Sequence, residues 1–385
     1  LCNISGILGL LFSFFLVSGR NIILYNSTKL NQIAVWFSIL GNMPIMAGIV
    51  MFFLKNINKV NKWRRIERLD NWWEKKLSSK KIFILSWVII FLAWLPGLIA
   101  SYPGVYGYDS VFQINYYRSG EINLWHPLIH TYLLGICVEE LGELLGSRER
   151  GFFCYSIIQM LCLSGMFSTI EYYMAKKKCS AIIQIIIIVI IAFLPTNAIM
   201  AFSSTKDILF AGFFCLMVYF TTQIADDEYY LKRKKSWILT IIGIFGVLIF
   251  RNQGIYVIVL GLICGIILLK GQRKRCVIFL LSSVILFSVY SGPVTTLLHG
   301  VKPESQVQEM LSVPIMQLSR AVVYGSDSLT ESEIQLITEY IPNAQKYTIG
   351  ENTGISDSFK SSFKSERFKK NPAEFFNLWI RVGIK

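Results

Sequence analysis

Unbroken apolar runs separated by short charged segments dominate the chain. A hydrocarbon core about 30 Å thick needs around 20 apolar residues of helix. Nine runs approach that length, at residues 4–18, 33–54, 82–100, 152–174, 181–201, 208–225, 237–250, 254–269 and 276–298. In each, apolar side chains fill the helix circumference and leave no polar face for water. The pair flanking Arg251 is short and suggests a hairpin of tilted or incomplete helices. These runs predict an all-α fold, a polytopic membrane helix bundle of about nine or more spans.

The spaces between the runs suggest an organisation. Residues 1–81 hold two N-terminal spans and a basic loop, and 82–298 form a transmembrane core with a long loop at 101–151. Residues 299–371 form a polar segment with helix signals. LTESEIQLITEYIP opens on a capping-box pattern, Thr330 with Glu333, and ends at a proline. Leu311, Ile315, Leu318, Leu336 and Ile337 recur at helical spacing, which predicts a small helical element outside the membrane. Residues 372–385, with FFNLWIRVGIK, read as the start of a further span. The chain opens on Leu1 and stops inside this run, so it is expected to be a piece of a longer protein. It shows no internal repeat, low-complexity tract or heptad pattern.

Composition supports the membrane reading. Hydrophobic residues make up 54% of the chain and charged residues 16%, against roughly 25% charged in an ordinary soluble protein. Disordered, nucleic-acid-binding and disulfide-scaffold classes are excluded on that basis. The net charge of +14 would suggest nucleic acid in a soluble chain, but its distribution argues for orientation instead. Of the 38 lysines and arginines, 21 fall in four clusters, at 55–81, 176–178, 232–235 and 270–275. Positive charge marks cytoplasmic loops, so all four are placed inside. That requires residues 124–146 not to cross the membrane. Glu139, Glu140 and Glu143 are costly in lipid and favour an amphipathic helix at the outer interface. The alternative, a span at 128–145, would reverse the sidedness of everything before it. The cysteines lie in or beside apolar stretches and read as small buried hydrophobes.

Three polar constellations remain at the outer side. The first is YPGVYGYDSVFQINYYRSGEINLWHPLIH, where Asp109 sits among Tyr106, Tyr108 and other tyrosines, with Gln113 following. A carboxylate in an aromatic cleft suits a general base or a metal ligand, whereas an ordinary interfacial loop would also be tyrosine-rich. The second is His126 and His130, spaced to share a helix face. That spacing permits a metal, but no third ligand stands nearby, and a hydrogen-bonding role for His126 at a helix start is the simpler reading. The third is FSSTKDILFAG. Lys206 and Asp207 could be a salt-bridged turn capped by Ser203 or Ser204, or Lys206 could bind phosphate. Arg251 lies at the same depth, and an arginine between membrane helices needs an anionic partner. Two cations facing one cleft suit a lipid phosphate.

In this order the chain resembles the GT-C class of membrane glycosyltransferases, closest to the protein mannosyltransferase and aminoarabinose-transferase branch and uncharacterised bacterial membrane proteins of that type. The matching elements are YGYDSVFQ, WHPLIH at a His-Pro or Pro-Pro run, a span ending in MAKKK, and FSSTKD. They cover residues 82–225. The resemblance implies a sugar moved from a polyprenyl-phosphate donor to an acceptor on the outer face of the cell membrane. Asp109 falls at the catalytic base, with Tyr106, Tyr108, Gln113, His126, Lys206, Asp207 and Arg251 as substrate-binding candidates. Tyr108 and Ser110 stand where the family often has a second acid, which leaves open whether a divalent cation takes part. The implied partners are a polyprenyl-phosphate-linked sugar and membrane lipid, not nucleic acid. A polysaccharide polymerase or ligase, or a transporter or flippase for lipid-linked sugars, are the competing readings. A transporter would more often show broken spans in two similar halves.

Overall fold

A computed structural model describes residues 2–25, 28–60, 64–251, 253–268, 270–301, 307–347 and 357–384. In chain order the helices begin with α1 (Cys2–Tyr25), α2 (Ile33–Val60), α3 (Arg64–Lys76), α4 (Ser79–Ala100) and α5 (Tyr108–Ser119). The short strand β1 (Ile122–Asn123) precedes α6 (Leu128–Gly135), a π-helical stretch (Ile136–Leu141) and α7 (Gly142–Leu145). Next come α8 (Arg148–Lys176), α9 (Ala181–Phe193), α10 (Pro195–Ala201), α11 (Lys206–Asp226), α12 (Lys234–Phe250), α13 (Gly254–Leu268), α14 (Arg273–Val289) and α15 (Thr295–Leu297). After β2 (Gly300–Val301), the chain ends in α16 (Val307–Met310), α17 (Ser312–Tyr324), α18 (Glu331–Tyr340), α19 (Asp357–Lys360), α20 (Ser365–Lys370) and α21 (Pro372–Ile384).

Among the described residues, six helical segments are long and apolar enough to cross a bilayer: Asn3–Tyr25, Ile33–Asn56, Ser79–Ala100, Arg148–Lys176, Lys206–Asp226 and Arg273–Leu297. A seventh crossing results if α9 and α10 count as one, bent by 57°. The bend falls at Pro195, which lacks an N–H and cannot continue the helix before it. The difference from nine runs is the pair flanking Arg251. With 17 residues, α12 is about 25 Å long, and α13, with 15, is shorter still, against a core of about 30 Å. The protein is an all-α, multi-pass membrane protein.

Two compact units make up the chain, Leu1–Val111 with Leu133–Phe287, and Phe112–Tyr132 with Ser288–Lys385. In the first, Ile90, Trp94 and Leu98 of α4 pack on Met160 and Leu163 of α8 and on Ala192 and Ala201 beyond it. Phe220, Ile244, Val247, Ile258 and Phe279 join α11 to α14 in a second core. Its basic clusters gather at one end. Asp70 of α3 accepts from the Ala181 N–H at 2.7 Å and the Ser180 hydroxyl at 3.0 Å, and Glu74 pairs with Lys178. Lys177 pairs with Asp226 at 2.8 Å, Arg275 donates to the Glu228 carbonyl, and Arg233 pairs with Asp227.

Helices α4 and α8 run antiparallel. The Trp87 indole N–H reaches the Leu161 carbonyl at 2.9 Å, while the Tyr102 ring lies tilted near Phe153 and Ser156 donates to the Pro103 carbonyl. The first turn of α8 therefore lies beyond the end of α4, at the end opposite the basic clusters. Residues 133–145 pack there, with Glu139 against Arg148 and the Leu145 carbonyl against Arg150. A crossing of 128–145 would put Arg148 at the wrong end of the unit.

The second unit joins part of the first loop to the tail, so the tail is not a module by itself. β1 and β2 pair in parallel, Ile122 with Gly300 and Asn123 with Val301. Its core is aromatic-rich: Ile315, Leu318, Ile337, Tyr340, Phe359, Phe363, Phe375 and Leu378. The capping box at Thr330 and Glu333 is formed. Residues 372–384, expected to open a span, instead bury Phe375 and Leu378 in this core.

Candidate functional site

In the first unit the loop after α4 and the turn before α11 lie side by side. The Val105 N–H donates to the Phe202 carbonyl at 3.1 Å, and the Ser204 N–H returns to the Val105 carbonyl at 3.0 Å. Two glycines permit this approach. Gly104 has φ +131°, and a Cβ there would lie 2.5 Å from Ser156 Oγ and 3.1 Å from the Phe202 carbonyl oxygen. At Gly107 a Cβ would meet Thr205 Cγ2 at 2.7 Å. Larger residues would push the two segments apart.

A buried neutral network fixes the turn. The Gly107 N–H donates to Ser204 Oγ at 3.0 Å, and the Ser110 hydroxyl donates to the Ser204 carbonyl at 2.8 Å. From α8, the Gln159 amide N–H₂ donates to the carbonyls of Ala201 at 2.9 Å and Ser203 at 2.8 Å. Its carbonyl oxygen accepts from the Tyr155 hydroxyl at 2.7 Å. Tyr155, Gln159, Ser110 and Ser204 are all buried. A buried network whose members are satisfied holds a single geometry, because each broken bond strands a group away from water.

What this frame presents is charged. Asp109 lies in the first turn of α5, and Lys206 is the first residue of α11; their side chains form an ion pair. The next residue, Asp207, pairs with Arg251, which caps the C-terminus of α12. The first pair is the less exposed, with 19% for the Lys206 side chain and 33% for Asp109, against 43% for Arg251 and 49% for Asp207 in the second. The acids suit their places, since the start of a helix is partially positive. Lys206 does not, and Asp109 and Asp207 offset its cost. The Arg251 guanidinium also lies over the Phe210 ring, 5.5 Å from its centre.

Several sequence expectations change here. Lys206 pairs across 97 residues with Asp109, not within its own turn. Ser203 and Ser204 do not cap α11; Thr205 holds the cap position without a side-chain bond, and Ser204 is turned to the first loop instead. Arg251 has its anionic partner, Asp207. Tyr106 stacks on Phe152 with ring centres 3.9 Å apart, while Tyr108 is 78% exposed. Sequence reasoning missed Gln159, although a glutamine inside an apolar span signals a buried partner.

Gln113 and His126 belong to the second unit. There the Gln113 carbonyl oxygen lies 2.6 Å from His130 Nδ1 and accepts from the Thr131 hydroxyl at 3.1 Å. Gln113, His130 and Thr131 are buried, and His126 is nearly so, with its ring near Tyr116. The two histidines do not share a helix, since α6 starts at Leu128 and His126 precedes it. Pro127 stands just before the helix, and its carbonyl accepts the Thr131 N–H. Among the described residues no three His, Cys, Asp or Glu side chains are placed to hold a metal ion. Glu139, Glu140 and Glu143 line a depression of about 390 Å³ in the first unit, where Arg148 already pairs with Glu139.

Neither a curated protein nor a solved structure matches the chain. Residues 117–385 match the family of unknown function DUF6020, and the chain belongs to that family.

Proposed function

We propose that the protein is an integral membrane glycosyltransferase that moves a sugar from a polyprenyl-phosphate donor to an acceptor on the outer face of the cell membrane. The observation that carries this reading is the Lys206–Asp207 doublet, with Asp109 and Arg251 as its two partners on a buried frame. The basic clusters at the opposite end face the cytoplasm by the positive-inside rule, so the doublet faces out. At rest the four charges cancel in pairs. A donor phosphate draws Lys206 and Arg251 to its oxygens and frees Asp109. The bond from the anomeric carbon to phosphate oxygen then breaks as the acceptor oxygen bonds that carbon from the other side. The acceptor proton goes to Asp109, and the leaving phosphate keeps the electron pair, its charge held by the two cations. Tyr106 and Tyr108 offer rings to the sugar. Gln113 and His126 carry no step in this reading.

One observation favours a transporter instead. The 57° break between α9 and α10 is the kind of interrupted span that lines transport sites. The Ile190 and Ile191 carbonyls at the break, however, are occupied. The Ile190 carbonyl accepts from the Leu194 N–H and Asn197, and the Ile191 carbonyl from the Trp94 indole and Asn197. With these two oxygens taken by protein donors, we read the break as a structural bend.

The test is sugar transfer from a polyprenyl-phosphate donor by the purified protein in detergent or vesicles. Asp109→Asn keeps the size and a neutral bond to Lys206 but cannot accept the proton. It is expected to slow turnover by about 10²–10⁴-fold, with only a small fall in the thermal unfolding midpoint from the weakened Lys206 pair. Arg251→Gln is expected to weaken donor binding as well as turnover. Near-normal turnover in Asp109→Asn removes the general-base assignment. Use of a polyprenyl-pyrophosphate donor alone identifies a polymerase or ligase, and movement of the intact donor across vesicles without transfer identifies a transporter.

A further inference from the structure

Helix α21 is apolar on two opposed faces. One face is spent inside the second unit, where Phe375 and Leu378 are fully buried among Ile315, Leu318, Tyr340 and Phe363. The other face carries Phe376, Ile380 and Ile384, at i, i+4 and i+8, with exposures of 38%, 52% and 81%. Residues four apart stand one above another on a helix, so these three form a continuous stripe. Trp379 at the border donates its indole N–H to Gln317 of α17 at 2.8 Å, which fixes the rotation of the helix. A helix with two apolar faces needs a second apolar surface.

We infer that α21 is an interfacial helix whose Phe376–Ile380–Ile384 stripe rests on a phospholipid surface. Three features select lipid as the occupant. The second unit is continuous with a membrane crossing, because it begins at Ser288 within the span Arg273–Leu297. A bilayer is therefore always within reach at high effective concentration. Exposed cations stand close to the stripe in sequence, Lys370 before the helix and Arg381 within it, with Lys369 paired to Glu366, and such cations suit anionic headgroups. The acid of the helix, Glu374, is turned away, accepting from the Tyr340 hydroxyl at 2.6 Å.

The geometry also limits how deeply the helix enters. Full insertion would pull Phe375 and Leu378 out of the core they complete. The helix therefore lies in the membrane surface with one face down.

The test uses the whole protein in nanodiscs of phosphatidylcholine and phosphatidylglycerol, with the photoreactive residue p-benzoyl-phenylalanine replacing Phe376, Ile380 or Ile384 in turn. Gln335, exposed on α18, is the comparison position. Ile380 and Ile384 are the more exposed, whereas the Phe376 ring also meets Phe368 and Trp379, so an unchanged unfolding midpoint is required of each variant. After irradiation, mass spectrometry is expected to find phospholipid adducts at all three stripe positions, several-fold above Gln335. Adducts to a second protein chain, or lipid adducts no more frequent than at Gln335, overturn the inference.

Discussion

The two ends of the first unit both gather charge, and they use it differently. At the basic end, charged groups tie helix ends together at the surface. Lys178 and Glu74 are 76% and 46% exposed, and Lys177 and Asp226 are 42% and 33% exposed. The bond to Asp226 raises the Lys177 amine above its usual range. Exposed pairs of this kind contribute little to stability, because water and salt screen them. At the opposite end the anchoring is done by neutral groups, Tyr155, Gln159, Ser110 and Ser204, all buried. The Lys206–Asp109 and Asp207–Arg251 pairs stand on top of that frame, and Arg148 with Glu139 forms a further pair at the same end. Where neutral hydrogen bonds hold the backbone, the charges are released from structural work and can meet a ligand. That contrast is why we propose the site at the second end.

The comparison breaks first at Gln159. Gln159→Leu strands the Ala201 and Ser203 carbonyls and takes the acceptor from the Tyr155 hydroxyl. Each stranded group costs about 1–3 kcal/mol, so the unfolding midpoint in detergent is expected to fall clearly. Transfer activity is expected to fall with it, since Lys206 follows directly on the released turn. A Gln159→Leu protein as stable as the parent would mean that the neutral frame does not hold the turn, and the contrast between the ends would collapse.

How much of this was legible in the sequence depends on which solvent a residue meets. The spans were legible because hydrocarbon imposes one simple demand, an unbroken apolar run, and 79–100, 148–176 and 206–226 meet it. The same simplicity hid the role of 372–384. A stretch such as FFNLWI has one composition whether its partner is lipid or protein, and only the packed core shows Phe375 and Leu378 claimed by the second unit. At the site, Arg251 announced its need for an anion, since an isolated cation between membrane helices is costly. The choice of Asp207 as partner, and of Asp109 for Lys206, was set by two loops meeting through Gly104 and Gly107. Nothing local encodes a contact across 97 residues. The spacing of His126 and His130 gives a shared face only on a helix that includes both, and α6 starts at Leu128.

A smaller effect sharpens the other side of the comparison. Asp70 caps α9 through the Ala181 N–H and the Ser180 hydroxyl. Asp70→Ala removes a cap of the kind worth about 1 kcal/mol. The unfolding midpoint is expected to drop modestly, and turnover per folded molecule to stay at the parent value. A loss of turnover that exceeds the loss of folded protein would show that the basic end takes part in the chemistry.

The smallest effect concerns pH. Asp227, just past the end of α11, accepts from the Tyr229 backbone N–H at 2.9 Å and pairs with Arg233. The Tyr229 N–H first, and Arg233 after it, hold its carboxyl below the ordinary carboxylate value. A carboxyl whose folded value is depressed adds stability above its unfolded value, and that stability is lost as pH falls through the folded value. The acid limb of a stability-versus-pH curve is therefore expected to flatten slightly in Asp227→Asn, with no change near neutrality beyond the lost pair. The group is exposed, so the difference should fade further as salt is added. A salt-independent change would mean that Asp227 is shielded from water, and the basic end would then resemble the buried frame opposite more than a solvated surface.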